Sequence, residues 1–304
     1  AYSLAGTFGS FTGRAASAEG DTIFFTAHFK APGASPIPAV HSTNLSGSTK
    51  VFLVASGATA PSSGGATFSS FPAITHQSGG ALVRATLKNS PASQNEGLYS
   101  LPTNVFASRT LLVRKGDPIG GGLNIARILR FWPAGADQLL LHVQVTGTKV
   151  NPTNNQVLLL RQADGTYLSL LRTGTTAHGI GNAKVATLSA VEVNHNSGRY
   201  AVLGTLSGAP ANSNQALWTG DTALGDDSAA LQILRLPRLT LRKGNRYTTD
   251  ATPQGLIRSI ALKPAADATG AGGRGLAQAL GEFGDLAVFI TTDRNLTEAV
   301  ILDR

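Results

Sequence analysis

Leu111-Leu112-Val113-Arg114-Lys115-Gly116-Asp117, a short apolar run closed by basic residues and a glycine, decides the reading of this chain because it recurs. Related runs are Phe52-Leu53-Val54-Ala55-Ser56-Gly57, Leu170-Leu171-Arg172-Thr173-Gly174 and Leu239-Thr240-Leu241-Arg242-Lys243-Gly244. Their glycines stand roughly 60 to 70 residues apart, the period of a supersecondary unit repeated in series. Around each run, alternation and turn residues predict four strands per unit, here lettered A to D. The A strands are read at 23–29, 81–87, 138–145, 200–206 and 286–292, the B strands include 97–101, 156–161, 215–219 and 298–302, and the glycine-ended run is C. Asp164-Gly165 supplies a two-residue hairpin turn between B and C. A D strand follows each C across a Gly/Pro-rich loop, at 68–74, 125–131, 185–193 and 256–262.

Four-stranded units in series predict an all-β, five-bladed β-propeller. It is read as a single domain over 1–304, with blades starting near 22, 81, 138, 199 and 285. Thr7-Phe8-Gly9-Ser10-Phe11 copies Thr67-Phe68-Ser69-Ser70-Phe71, so the N-terminus reads as a D strand without its A, B and C. The C-terminal stretch supplies an A and a B strand without a D. The expectation is therefore that the N-terminal strand, 7–14, completes the C-terminal blade and removes two apolar edges at once. Residues 1–5 are a candidate C strand for that blade, and residues 275–282 a candidate helical turn.

Composition bounds the function. The 304 residues are 42% hydrophobic and 14% charged, with 35 glycines, which suits a β-rich chain with many tight turns. Cysteine is absent, which excludes disulfides, thiolate metal sites and a thiol nucleophile. The six histidines lack paired ligand spacing, so no metal and no cofactor is expected. No Gly-x-Ser-x-Gly elbow and no phosphate-binding loop occurs. The net charge of +8 is spread without a basic cluster or interleaved aromatics. That pattern favours anionic polymers over specific nucleic acid. There is no stretch of 18 apolar residues to span a membrane. The chain does not begin with methionine, which fits a removed export signal.

Two sets of residues could carry chemistry. The D-to-A turns present Asp21, Gly80, Asp137, Gly198 and Asp285. Three carboxylates at one end of a channel could hydrolyse glycosides or bind calcium through oxygen ligands, or each Asp could hydrogen-bond its own turn. Arg84 and His142 share a register in neighbouring A strands, where they could bind an anion or pair with groups between blades. Trp218, in repeat register with Tyr167, could stack a sugar ring or pack in the core.

The units resemble a family of exported bacterial repeat proteins whose blade ends in a leucine-valine-alanine-arginine-x-glycine-aspartate element. Leu112-Val113-Arg114-Lys115-Gly116-Asp117-Pro118 matches that element, and Gly272-Gly273-Arg274-Gly275 with Ala279-Leu280-Gly281-Glu282-Phe283-Gly284-Asp285 matches the terminal unit. The family's asparagine-aspartate turns are mostly replaced, as in Ala18-Glu19-Gly20-Asp21 and Gln77-Ser78-Gly79-Gly80. The resemblance implies export to the cell surface or medium and a propeller-like fold, with no catalytic residues. The expectation from the residues is accordingly an exported, non-catalytic scaffold or interaction module. Its partners would be an anionic glycan, a cell-wall polymer or proteins of a surface assembly. The alternative is a polysaccharide-active glycosidase or lyase that uses Asp21, Asp137 and Asp285.

Overall fold

A computed structural model describes residues 7–104, 108–135, 137–224, 232–249, 252–265, 278–281 and 283–302. The candidate strand at 1–5 and half of the candidate helical turn at 275–282 lie outside the described residues; the described half, 278–281, is not helical, and Leu280 bridges to Leu286. The described residues form two compact units, one within 7–118 and 124–130, the other of the remaining described residues.

The described strands form five four-stranded antiparallel sheets, the content of a propeller-like all-β fold. The first sheet is β1 (Thr7–Glu19), β2 (Thr22–Lys30), β3 (Ile37–Asn44) and β4 (Lys50–Ala55). The second is β5 (Thr67–Gln77), β6 (Gly80–Lys88), β7 (Glu96–Pro102) and β8 (Thr110–Arg114). The third is β9 (Leu123–Pro133), β10 (Leu139–Gly147), β11 (Gln156–Arg161) and β12 (Tyr167–Arg172). The fourth is β13 (Lys184–Val193), β14 (Arg199–Ser207), β15 (Gln215–Asp221) and β16 (Arg238–Arg242). The fifth is β17 (Arg246–Thr249), β18 (Thr252–Ala261), β19 (Leu286–Thr292) and β20 (Thr297–Leu302).

One expectation is corrected here. The N-terminal strand does not complete the last blade: β1 pairs with β2, from Thr7↔Lys30 to Glu19↔Thr22. Gly20, at φ +54°, and Asp21 turn the chain between the two strands. Closing a two-residue hairpin costs far less chain entropy than joining the two ends of the chain. Each D strand thus precedes its A strand in the same sheet, and the first four sheets run D-A-B-C. The fifth runs β17-D-A-B, with β20 as its edge.

Burial explains the hydrophobic patterns. In β14, Tyr200 and Val202 join Trp132, Leu140, Leu158, Leu188 and Trp218 in one core cluster. Ala201 and Leu203, on the opposite face, join Ile257, Ile260, Leu286, Val288 and Ile290 in another. A strand covered on both faces reads as a continuous apolar run. In β19, by contrast, Leu286, Val288 and Ile290 are buried while Ala287 and Phe289 are exposed, so this strand alternates. The first unit has its own core of Phe24, Val40, Val54, Phe68, Ile74, Val83, Tyr99 and Leu101.

The recurrent glycines have one structural task. Gly57, Gly116, Gly174 and Gly244 adopt φ of +89°, +96°, +79° and +88°. In that conformation their N–H groups donate to Phe68, Ile125, Val185 and Ile257, in the first long strand of the next sheet, at 2.7–2.8 Å. Each therefore ties the last strand of one sheet to the following sheet. A Cβ on Gly174 would also sit 2.6 Å from Cβ of Asn154. Gly174→Ala is expected to cost about 2 kcal/mol, combining a left-handed backbone with a clash, with the strands retained. Urea unfolding followed by circular dichroism measures it. A change within error of zero would remove the glycine's assigned task.

Candidate functional site

The carboxylates singled out from the sequence occupy exposed turns. Asp21 lies between β1 and β2, and its carbonyl accepts the Leu45 N–H at 2.8 Å. Asp137, at φ +55°, lies between β9 and β10. Asp285 precedes β19, and its carbonyl accepts the Gly281 N–H at 2.8 Å.

Arg84 and His142 each serve a neighbouring strand. Arg84 Nη1 donates to the Ile128 and Leu129 carbonyls of β9 at 2.7 and 3.3 Å. His142 is buried, with Nε2 3.0 Å from Oε1 of Gln156 on β11. Trp218 is no sugar platform: it is fully buried in the core and its indole N–H donates to the His178 carbonyl at 3.0 Å.

A different place gathers polar groups around open space. A cavity of about 310 Å³ in the second unit is lined by Asn212, Ser213, Arg242, Lys243, Asn245, Leu256, Arg258 and Asp293, among others. Four segments converge there: the β14–β15 connection, the end of β16 with its following turn, β18, and the β19–β20 turn. The glycine-ended run brings the second, because Gly244 bonds to Ile257 and so holds Arg242 and Lys243 beside β18.

The cleft's side chains are held in place but not neutralised. Arg242 Nε donates to the Ser213 carbonyl at 3.1 Å, and Arg258 Nη1 donates to Asn295 Oδ1 at 3.2 Å. Asp293 Oδ1 accepts the Leu256 N–H at 2.9 Å. The ion pairs Arg114–Asp117 at 3.9 Å and Arg199–Asp221 at 3.3 Å do not involve a cleft cation. Leu256, 46% exposed, adds an apolar surface beside these donors and acceptors. Guanidinium, ammonium, amide, hydroxyl and carboxylate groups around an open space can hold a hydroxylated or anionic ligand.

Sequence reading quoted Arg242 and Lys243 only as structural markers and missed Asn245, Arg258 and Asp293. The legible signal was a pair of cations ahead of a glycine whose following residue had changed from aspartate to asparagine. Among the described residues, no group of three His, Asp or Glu side chains is placed to hold a metal ion. No described helix is long and apolar enough to cross a membrane.

No curated protein matches the sequence. Among solved structures, the chain is similar to an oligogalacturonate lyase from Vibrio parahaemolyticus, at 8% identity and TM-score 0.43, covering 98% of this chain and 66% of the lyase. It is also similar to an α-L-arabinofuranosidase from Fusarium graminearum, at 11% identity and TM-score 0.35, covering 93% of this chain and 72% of that one. A periplasmic gluconolactonase from Pseudomonas aeruginosa is similar at 12% identity and TM-score 0.34, covering 94% and 84%. The chain thus spans slightly under two thirds of the lyase's length. Each of these three structures is an enzyme by its name, whereas the expectation from the residues was a chain without catalytic activity. A family model matches residues 5–225, and the chain belongs to that family, the family of unknown function DUF7453.

Proposed function

We propose that this chain is an exported protein that acts on a polysaccharide, and that the cleft beside Gly244 holds the glycan. The observation that carries this reading is the cleft's lining. Arg242, Lys243, Arg258, Asn212, Asn245, Ser213 and Asp293 offer donors and acceptors, and Leu256 offers an apolar surface. Sugars demand that combination, because each ring presents hydroxyls at its rim and C–H groups on its face. The net charge of +8 adds attraction for acidic chains. Asp293 is the carboxylate of the lining, and it is exposed. It is the group assigned to acid–base work on the bound sugar.

The test is incubation of the full chain with polygalacturonate and with a neutral arabinan, following retention and the release of new reducing ends. One polymer should be retained and shortened. Asp293→Asn keeps an oxygen for the Leu256 N–H and should cut release at least about a hundredfold, the low end of what one acid–base group contributes, with retention preserved. Absence of retention and shortening with both polymers would sink the reading.

A further inference from the structure

Three of the recurrent turns share a backbone hydrogen bond and differ in the residue that follows the glycine. The residue after the glycine is Asp117, Thr175 or Asn245, and its N–H donates to the carbonyl of Arg114, Arg172 or Arg242 at 3.1, 3.4 and 3.1 Å. In the second sheet that residue carries a built-in counter-ion. Asp117 Oδ2 accepts the Arg114 N–H at 2.7 Å, and Oδ1 lies 3.9 Å from Arg114 Nε. The fourth sheet has the same turn with a neutral amide at Asn245. It also has Lys243 where the third sheet has Thr173, and Arg258 enters from β18. Three cations thus line one cavity with Asp293 as their only acidic companion among the described lining residues.

We propose that Arg242, Lys243 and Arg258 form a subsite for the carboxylate of an acidic sugar residue, an external anion doing for Arg242 what Asp117 does for Arg114. The rest of the lining selects this chemistry over a phosphate polymer. Asp293 repels a densely charged chain but accepts a hydrogen bond from a hydroxyl, and Asn212 and Asn245 can both give and take one. A single negative charge on a hydroxylated ring satisfies all of them. Charge-assisted bonds from guanidinium and ammonium would supply most of the affinity.

The acidic sugar is assigned on the strength of the cleft's being a glycan site, so the test separates the two. The probes are a galacturonate trisaccharide, its methyl ester and a neutral arabinan oligosaccharide, titrated calorimetrically into the full chain at low ionic strength. The acid should bind, and the ester, uncharged and larger only by a methyl group, should bind at least tenfold more weakly. Asn245→Asp restores the internal counter-ion and should also weaken binding of the acid at least tenfold, with an unchanged melting temperature. Arg258→Gln should behave likewise. Equal binding of acid and ester, or an Asn245→Asp protein that binds like the parent, overturns the acidic subsite. If the neutral oligosaccharide still binds in that case, the glycan reading stands. No binding by the acid overturns the proposal outright.

Discussion

Glu192→Ala is expected to cost about 3 kcal/mol, because it strips the acceptors from two half-buried N–H groups at once. Glu192 is 2% exposed on β13. Its two carboxylate oxygens accept the N–H groups of Ala265 at 3.0 Å and Ala279 at 3.1 Å. Those residues bracket the long connection from β18 to β19. The neighbouring Gln278 Nε2–Val193 carbonyl bond, 2.9 Å, and Asn194 Nδ2–Leu280 carbonyl bond, 3.2 Å, hold the same connection. Glu192→Gln retains one acceptor oxygen and should cost roughly half as much. Burial raises the carboxyl's pKa, although the two backbone bonds pull it back. With the folded value above the unfolded one, the folded state binds the extra proton in the window between them. The stability this group confers is therefore present below the ordinary carboxyl range and lost as pH rises through the raised value. Chemical denaturation of parent and both variants across that window measures the effect. Equal stabilities would show that the connection does not depend on Glu192.

The second large effect concerns acid. His41 is 2% exposed on β3, stacked on Phe25 at a centroid distance of 5.6 Å and edge-on to Phe52 at 5.6 Å. Burial among these rings pushes its pKa from 6.5 down to about 4. The unfolded chain therefore binds a proton that the folded state refuses. Stability is fully present above 6.5 and is lost as pH falls toward 4, by up to about 3 kcal/mol. His41→Phe keeps an aromatic ring in the cluster and should remove this loss. The acid dependence of Glu192 runs the other way and belongs to the second unit, so the two variants separate them. Titration of the His41 ring by NMR is the direct check, and a value near 6.5 would refute the assignment.

The positions of the strands were legible in the residues. The run read at 200–206 is the heart of β14 and that at 286–292 is β19, because alternation and turn glycines are local properties. The glycine-ended runs were legible as a repeat for the same reason, since only glycine is easy at their positive φ. Their bond to the following sheet was not legible, because it links residues brought together by packing.

Thr7–Phe11 and Thr67–Phe71 are alike because both begin the first strand of a sheet. Likeness alone, however, does not say which sheet a strand joins. The turn at Gly20-Asp21 settled that by making the nearest partner the cheapest one. The candidate site followed the same rule. Arg242 and Lys243 stood in plain view, but Asn212, Arg258 and Asp293 come from segments far apart in the chain. What the sequence determined by itself was the repeating frame of strands and turns, written in short-range periodicity. The tertiary structure alone decided the order of strands within each sheet and the gathering of three cations around one cavity. Both depend on which distant backbone groups satisfy one another, and a single chain carries no local mark of that choice.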